Sequence, residues 1–291
     1  MVSVVYEAPG SVADAVTLLV NSDITASVLA GGTDLLIQMQ SMVNETRLVV
    51  DLKKIPEMMN AILDDEGLQL GPCMSCAEFT SREDIKLVYP GLVESAYLIG
   101  STQIQGRASI GGNLCNSSPA ADTVPALIAN NARCVIVGPS GERSLTVEEF
   151  TTGVGENCLA KGELVSLIKV PRPAANTSDA YLRFIPRSEM DIAVAGAGVS
   201  ITLDEDGICT AARVSIGAVA PIVLVVPEAA DALLGTKVDT TALQAVADAA
   251  SAASTPITDR RGTHEYRRHV VGVLAKRAAA IAAERVRGVQ S

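Results

Sequence analysis

The sequence predicts an α+β fold built in two parts. Three observations carry this. Short apolar runs with strand character alternate with segments of helical period. Two of the turns contain glycine pairs, Gly31-Gly32 and Gly111-Gly112. A break rich in Pro and small polar residues, Pro171 to Ser178, precedes a last third that reads as strands followed by two Ala-rich helical stretches. The 291 residues, 48% hydrophobic and 19% charged, suffice for one large domain or two of ordinary size. Aromatics are only 3% and Trp is absent, so the core must come from Val, Leu, Ile and Ala.

Ser11 to Val20 opens the chain as a helix, with Ser11 and Asp14 spaced as a capping box and Val12, Ala15, Val16 and Leu19 at helical spacing. Ala26 to Ala30 is a short strand ending in the first glycine pair. A helix from Asp34 to about Met42 and a strand from Leu48 to Leu52 complete a small α/β unit. Leu68 to Gly71 is strand-like, and Pro90-Gly91 opens a helix through Leu98. Ser109-Ile110 reads as a strand end leading into the second glycine pair. Asp122 to Asn130 is a short helix with Asp122 placed as N-cap and Pro125 tolerated in its first turn. Arg133 to Val137 and Leu164 to Val170 are strands. Beyond the break, Ile192 to Leu203 and Ala211 to Val219 read as strands, and Thr241 to Ala253 and Tyr266 to Val286 as helices. Gly196-Ala197-Gly198 lacks the third glycine of a dinucleotide-binding turn and reads as close strand packing.

The net charge of −10 argues against a phosphate backbone as partner, so no nucleic acid is expected. The amino-terminal stretch lacks the charged and apolar regions of a signal peptide, and Lys276 and Arg277 interrupt the apolar run from Val270 to Ala283. A soluble, cytoplasmic protein without a transmembrane segment is expected. Of six cysteines only Cys73 and Cys76 form a C-x-x-C pair, and no second pair completes a zinc or iron–sulfur set. The cysteines read as buried small hydrophobes, with a dithiol role for Cys73 and Cys76 as the sharper alternative. Arg260, Arg261, Arg267 and Arg268 read as a solvated basic face, with a docking surface as the alternative.

The chemistry sits in two segments. In Leu29-Ala30-Gly31-Gly32-Thr33-Asp34-Leu35 a strand runs into two glycines, a hydroxyl and a helix start, so bare backbone N–H groups can approach an anion closely. Ala108-Ser109-Ile110-Gly111-Gly112-Asn113, followed by Asn116 and Asp122, repeats that logic. Two such loops from separate subdomains suit one extended phosphate-bearing ligand. Ordinary tight turns are the plain alternative for each pair, and helix capping is the plain alternative for Asp34 and Asp122. No P-loop and no nucleophile elbow is present.

At these segments the chain resembles the FAD-binding medium subunits of the xanthine dehydrogenase and carbon monoxide dehydrogenase family, the molybdenum hydroxylases. AGGTDL and SIGGN look like the family's two flavin loops. ELVSLI, RFIPRSEMDIA, SIGAVAP and DRRGTHEYRRHVVGVLAKRA resemble its later signature stretches, so the likeness covers nearly the whole chain. It implies a two-subdomain FAD-binding domain of the vanillyl-alcohol-oxidase (PCMH) type over 1–175, with subdomains of about 1–57 and 58–175. A C-terminal α+β domain with an antiparallel sheet and helices follows over 179–287. Val28 to Leu35 and Ala108, Ser109, Gly111, Gly112 and Asn113 should wrap the FAD pyrophosphate and ribityl chain. Asn116 and Asp122 should bond nearby polar groups, and Leu164 or Val165 should touch the rings. Arg183 falls where the family often has Lys near the flavin, as a cation stabilising reduced flavin.

By the same resemblance a large partner holds molybdopterin and a small partner two [2Fe-2S] clusters, in a dimer of heterotrimers. Electrons pass through FAD on this chain to NAD, quinone or dioxygen, so no catalytic acid or base is assigned to it. The resemblance implies oxidation of an N-heterocycle, purine, aldehyde or similar small molecule by the large partner, and AGGTDL, where many carbon monoxide dehydrogenase medium subunits have AGGHSL, points to an N-heterocycle or xanthine-type enzyme. A carbon monoxide dehydrogenase medium subunit and a self-contained FAD oxidoreductase are the alternatives; a non-catalytic protein with a degenerate flavin fold is disfavoured by its intact glycine loops.

Overall fold

A computed structural model describes residues 3–42 and 45–288. The first unit contains strand β1 (Ser3–Glu7), helix α1 (Val12–Asn21), strand β2 (Thr25–Leu29), helix α2 (Leu35–Gln40) and strand β3 (Thr46–Asp51). The strands form a parallel sheet in the order β1-β3-β2, so each parallel pair is joined by a crossover that contains a helix. Ser11 caps α1 by accepting from the Asp14 N–H at 3.1 Å. Ala15, Val16 and Leu19 of α1 then pack on Leu48 and Val50 of β3. The sequence reading missed β1, whose five residues are all exposed and so carry no buried face to read.

The second unit runs through β4 (Ala61–Leu63), β5 (Gly67–Leu70) and six helices: α3 (Cys76–Thr80), α4 (Glu83–Val88), α5 (Pro90–Tyr97), α6 (Thr102–Gln105), α7 (Ile110–Cys115) and α8 (Thr123–Ala129). It continues with β6 (Arg133–Gly138), β7 (Gly141–Thr146), α9 (Val147–Phe150), a small hairpin of β8 (Thr151–Gly153) and β9 (Glu156–Asn157), and β10 (Leu164–Pro171). The main sheet has the order β4-β5-β10-β6-β7, and β10 pairs antiparallel with both neighbours at its centre. Phe79, Tyr89, Leu92, Leu114, Leu127 and Phe150 fill its core. One expectation is corrected here. No strand runs into the second glycine pair; Gly111 and Gly112 lie in the first turn of α7, with Ser109 as its cap.

The third unit is a four-stranded antiparallel sheet in the order β11-β12-β13-β14, from β11 (Thr177–Phe184), β12 (Ala195–Leu203), β13 (Cys209–Gly217) and β14 (Leu224–Val225). Three helices follow, α10 (Pro227–Asp231), α11 (Thr240–Ala253) and α12 (His264–Val286). Side chains alternate along β12. Ala195, Ala197, Val199 and Ile201 join the core under α11 and α12, which is lined by small residues such as Ala275, Ala278 and Ala282. The intervening Gly198 faces α8, where a Cβ would lie 2.6 Å from the Pro125 carbonyl oxygen. The Gly196-Ala197-Gly198 stretch is therefore close packing, and it lets the second unit seat directly on this sheet.

The arginine cluster is a solvated face only in part: Arg260 and Arg268 are exposed, Arg261 is half-buried and Arg267 is not part of it. Arg267 is buried and donates to the Val194 carbonyl at 2.8 Å and to Asp259 at 2.7 Å. Arg261 pairs with Asp191 at 2.9 Å and Arg268 donates to the Ser254 carbonyl at 3.1 Å. Through these bonds the start of α12 and the segment before it are tied to each other, to the residues just before β12 and to the end of α11. Among the described residues no helix is long and apolar enough to cross a membrane.

Candidate functional site

The first loop leaves the sheet where Leu29, the last residue of β2, pairs with Asp51, the last of β3. Gly32 takes a φ of +81°, a left-handed conformation that glycine adopts without strain. Gly31 is required for a different reason: a Cβ there would lie 2.0 Å from the Arg107 carbonyl oxygen. The first loop thus rests backbone to backbone on the start of the second. Among the described residues, none of the five N–H groups from Gly31 to Leu35 donates to a protein acceptor. The carbonyl of Ala30 accepts from Lys53 Nζ at 2.7 Å.

The second loop is pinned from below. Ser109 Oγ accepts from the Gly112 N–H at 3.1 Å, and a Cβ on Gly111 would lie 2.3 Å from Pro72 Cβ. Asn113 Oδ1 accepts from the Thr123 N–H at 3.0 Å and its hydroxyl at 2.7 Å, which leaves the Asn113 amide nitrogen for another acceptor. Gln38 Nε2 donates to Asn116 Oδ1 at 2.9 Å and joins α2 to the end of α7.

Between the loops lies a cleft open to solvent. Val28, Ala30, Gly31, Gly32, Thr33, Asp34 and Leu35 line one wall; Ala108, Ser109, Gly111, Gly112, Asn113 and Asn116 line the other, with Leu164 and Val165. Leu29, Asp122 and Arg183 are not among the lining residues. Sequence reasoning missed Gln38, Leu52, Pro72, Cys73, Ile99, Cys115 and Leu159, which complete the lining. Gln38 had a signal, since it stands one helical turn after Asp34. Asp34 and Asp122 occupy N-cap positions, but neither side chain makes a capping hydrogen bond.

Asp122 instead pairs with Arg183 Nη1 at 2.7 Å and accepts from the Tyr181 hydroxyl at 3.1 Å. Burial pushes its carboxyl up to about 6, against the opposing pull of Arg183 and Tyr181, so it is ionised at neutral pH. The cation expected at Arg183 is therefore matched by a carboxylate. The Arg183 side chain is only 6% exposed.

The dithiol alternative is not supported. Burial pushes the thiols of Cys73 and Cys76 up to about 12, so neither is a ready thiolate. Cys73, Cys76, Cys134 and Cys209 are buried as expected, while Cys115 and Cys158 are only half-buried. Among the described residues no group of three or more His, Cys, Asp and Glu side chains is arranged to hold a metal.

The cleft fits FAD on its own chemistry. Five unpartnered N–H groups match pyrophosphate oxygens, bare glycine backbone allows close approach, and Leu52, Ile99, Leu159, Leu164 and Val165 offer apolar contact for flat rings. The comparison with known proteins agrees. Residues 2–173 match the family model of the FAD binding domain in molybdopterin dehydrogenase, and residues 180–282 that of the CO dehydrogenase flavoprotein C-terminal domain. The chain is 32% identical over 273 residues to the carbon monoxide dehydrogenase medium chain of Hydrogenophaga pseudoflava, covering 94% of each. It is 27% identical to the xanthine dehydrogenase FAD-binding subunit of Escherichia coli O157:H7, covering 94% of this chain and 93% of that one. Its fold superposes on a chain of reconstituted CO dehydrogenase from Oligotropha carboxidovorans with a TM-score of 0.92 at 30% identity, covering 97% and 98%. On fold, cleft and sequence together, this chain belongs to the FAD-binding medium subunits of the molybdenum hydroxylase family, whose members serve as components of oxidoreductases.

Proposed function

We propose that this chain seats FAD in the cleft between its two glycine loops and relays electrons within a complex. The partners in this reading are a large molybdopterin subunit and a small subunit with two [2Fe-2S] clusters, in a cytoplasmic dimer of heterotrimers. Residues 1–175 form the FAD-binding part, with subdomains of about 1–57 and 58–175, and residues 179–287 the C-terminal part. The observation that carries the reading is the convergence of both glycine segments, one at a strand end of the first unit and one in the first turn of α7, on one cleft with five free N–H groups. Bound FAD supplies the step between one-electron arrival and two-electron departure. The chain's own residues bind and orient. Gly31 to Leu35 donate to phosphate, the Asn113 amide nitrogen donates to a cofactor oxygen, and Leu164 and Val165 exclude water from the rings. Asp122 and Arg183 buttress α8 from outside the lining. The substrate of the complex, an N-heterocycle, purine, aldehyde or similar small molecule in this reading, is carried by the large partner.

The test is a visible spectrum of the purified chain before and after acid release, with analysis of what copurifies. Flavin bands, FAD in the supernatant, and partners carrying molybdenum and iron are the expected result. FAD without partners would favour a self-contained oxidoreductase, and a well-folded chain that stays colourless with FAD supplied would overturn the proposal.

A further inference from the structure

Lys53 lies outside the lining of the cleft, yet it holds the residue on which the first loop turns. Its ammonium donates to the Ala30 carbonyl at 2.7 Å and to Asp51 Oδ1 at 2.7 Å. Asp51 also accepts from the Lys53 N–H at 3.0 Å, and its second oxygen accepts from the Tyr6 hydroxyl at 2.7 Å. Three residues at one end of the parallel sheet, from β1, β3 and the turn after β3, thus form a chain in which Tyr6 and Asp51 hold Lys53 and Lys53 holds the carbonyl. Asp51 is 7% exposed, and its loss of water is met by this set of donors. Burial would raise its carboxyl, but the hydrogen bonds from Lys53 and Tyr6 outweigh that and hold it below the ordinary range.

The consequence follows from peptide geometry. A trans peptide is planar, with its C=O and N–H on opposite sides. Fixing the Ala30 carbonyl toward Lys53 therefore aims the Gly31 N–H the other way. That N–H is the first of the five without a protein acceptor, and Gly32, with its left-handed φ, has no side chain to hold the loop in place. We infer that Lys53, locked by Asp51 and Tyr6, is a positioning residue that orients the Gly31–Leu35 N–H groups toward the FAD pyrophosphate. The inference rests on the cleft being the FAD site, as proposed above.

The test uses the full chain, stripped of flavin and titrated with FAD, with ³¹P NMR of the bound pyrophosphate as a second readout. Lys53→Met should weaken FAD at least about tenfold, or ~1.4 kcal/mol, and move the pyrophosphate resonances. Lys53→Arg, which keeps a cationic donor, should recover most of both. Tyr6→Phe, which removes one support of Asp51 from the exposed side of the sheet, should give a smaller loss in the same direction. Wild-type affinity and an unchanged ³¹P spectrum in Lys53→Met would overturn the inference, as would Lys53→Arg being as impaired as Lys53→Met. If Lys53→Met does not fold, Tyr6→Phe decides: FAD affinity and ³¹P spectrum equal to wild type would overturn it. Wild-type protein that binds no FAD would instead overturn the site itself.

Discussion

Gly31 and Gly112 look alike in the sequence and do different work. A Cβ on Gly31 would lie 2.0 Å from the Arg107 carbonyl oxygen and 2.7 Å from its carbon, and backbone cannot step aside as a side chain can. A Cβ on Gly112 meets Ser109 Oγ at 3.0 Å and otherwise nothing closer than Ala30 Cβ at 3.9 Å. Gly31→Ala is therefore expected to destabilise the flavin-free chain by about 2 kcal/mol, as overpacking does. Gly112→Ala should stay within about 0.5 kcal/mol. Urea midpoints of the two apoproteins check this, and equal midpoints would sink it. The contrast also shows what the sequence carried. Strand, glycine pair and hydroxyl are local, so the position of the first loop and its lining of a cleft were legible. That Gly31 is needed by the protein's own second loop was not, because nothing near Gly31 names Arg107. Asp122 failed in the same way. Its place before a helix suggested a cap, but the groups that claim it, Tyr181 and Arg183, lie 59 and 61 residues away.

At the scale of elements, the joint between the second unit and the C-terminal sheet is built on a helix end. The first turn of α5 presents N–H groups that have no partner within the helix. Pro90 removes one such donor, and Asp179 from β11 accepts the next two, Gly91 and Leu92, at 3.0 Å each. Asn130, just past α8, donates to the same carboxylate at 2.7 Å. Arg285 of α12 donates to the Asp179 carbonyl at 2.7 Å and pairs with Glu94 of α5. Four elements thus meet on one buried residue. Gly91 permits the approach, since a Cβ there would lie 2.7 Å from Ala180 Cα. Asp179→Ala would leave three donors buried and unpaired, at a cost on the order of 3 kcal/mol. The expected outcome is a lowered urea midpoint. An unchanged midpoint would mean that α5 is held by apolar packing alone. None of this joint was readable in advance, and β11 itself was missed, because it begins inside the Pro-rich break, at Thr177, and its burial is decided by partners from distant helices.

At the scale of the molecule, two carboxylates at this seam set a pH dependence opposite to that of the acids held low by their partners, such as Asp51 and Asp191. Burial pushes both Asp122 and Asp179 up to about 6, against the donors that face them. In the unfolded chain each returns to about 4. Between those values the folded state binds more protons than the unfolded state, so stability falls as pH rises through the window from about 4 to about 6. Two units at ~1.4 kcal/mol each give at most about 3 kcal/mol per group. Asp51 is held low by its hydrogen-bonded partners despite burial, and Asp259 and Asp191 are held low chiefly by Arg267 and Arg261; their contribution is lost only as pH falls further. The unfolding free energy should therefore peak on the acid side of neutrality and decline toward pH 7. Rising negative charge, on a chain already at −10, pushes in the same direction, so wild type alone does not isolate the seam. Asp122→Asn does, because it keeps the shape and removes one titration. Its decline from pH 4 to pH 7 should be shallower than that of wild type, measured by urea unfolding at each pH. Parallel curves would show that Asp122 titrates alike in the folded and unfolded chain, and that its ion pair with Arg183 offsets burial in full.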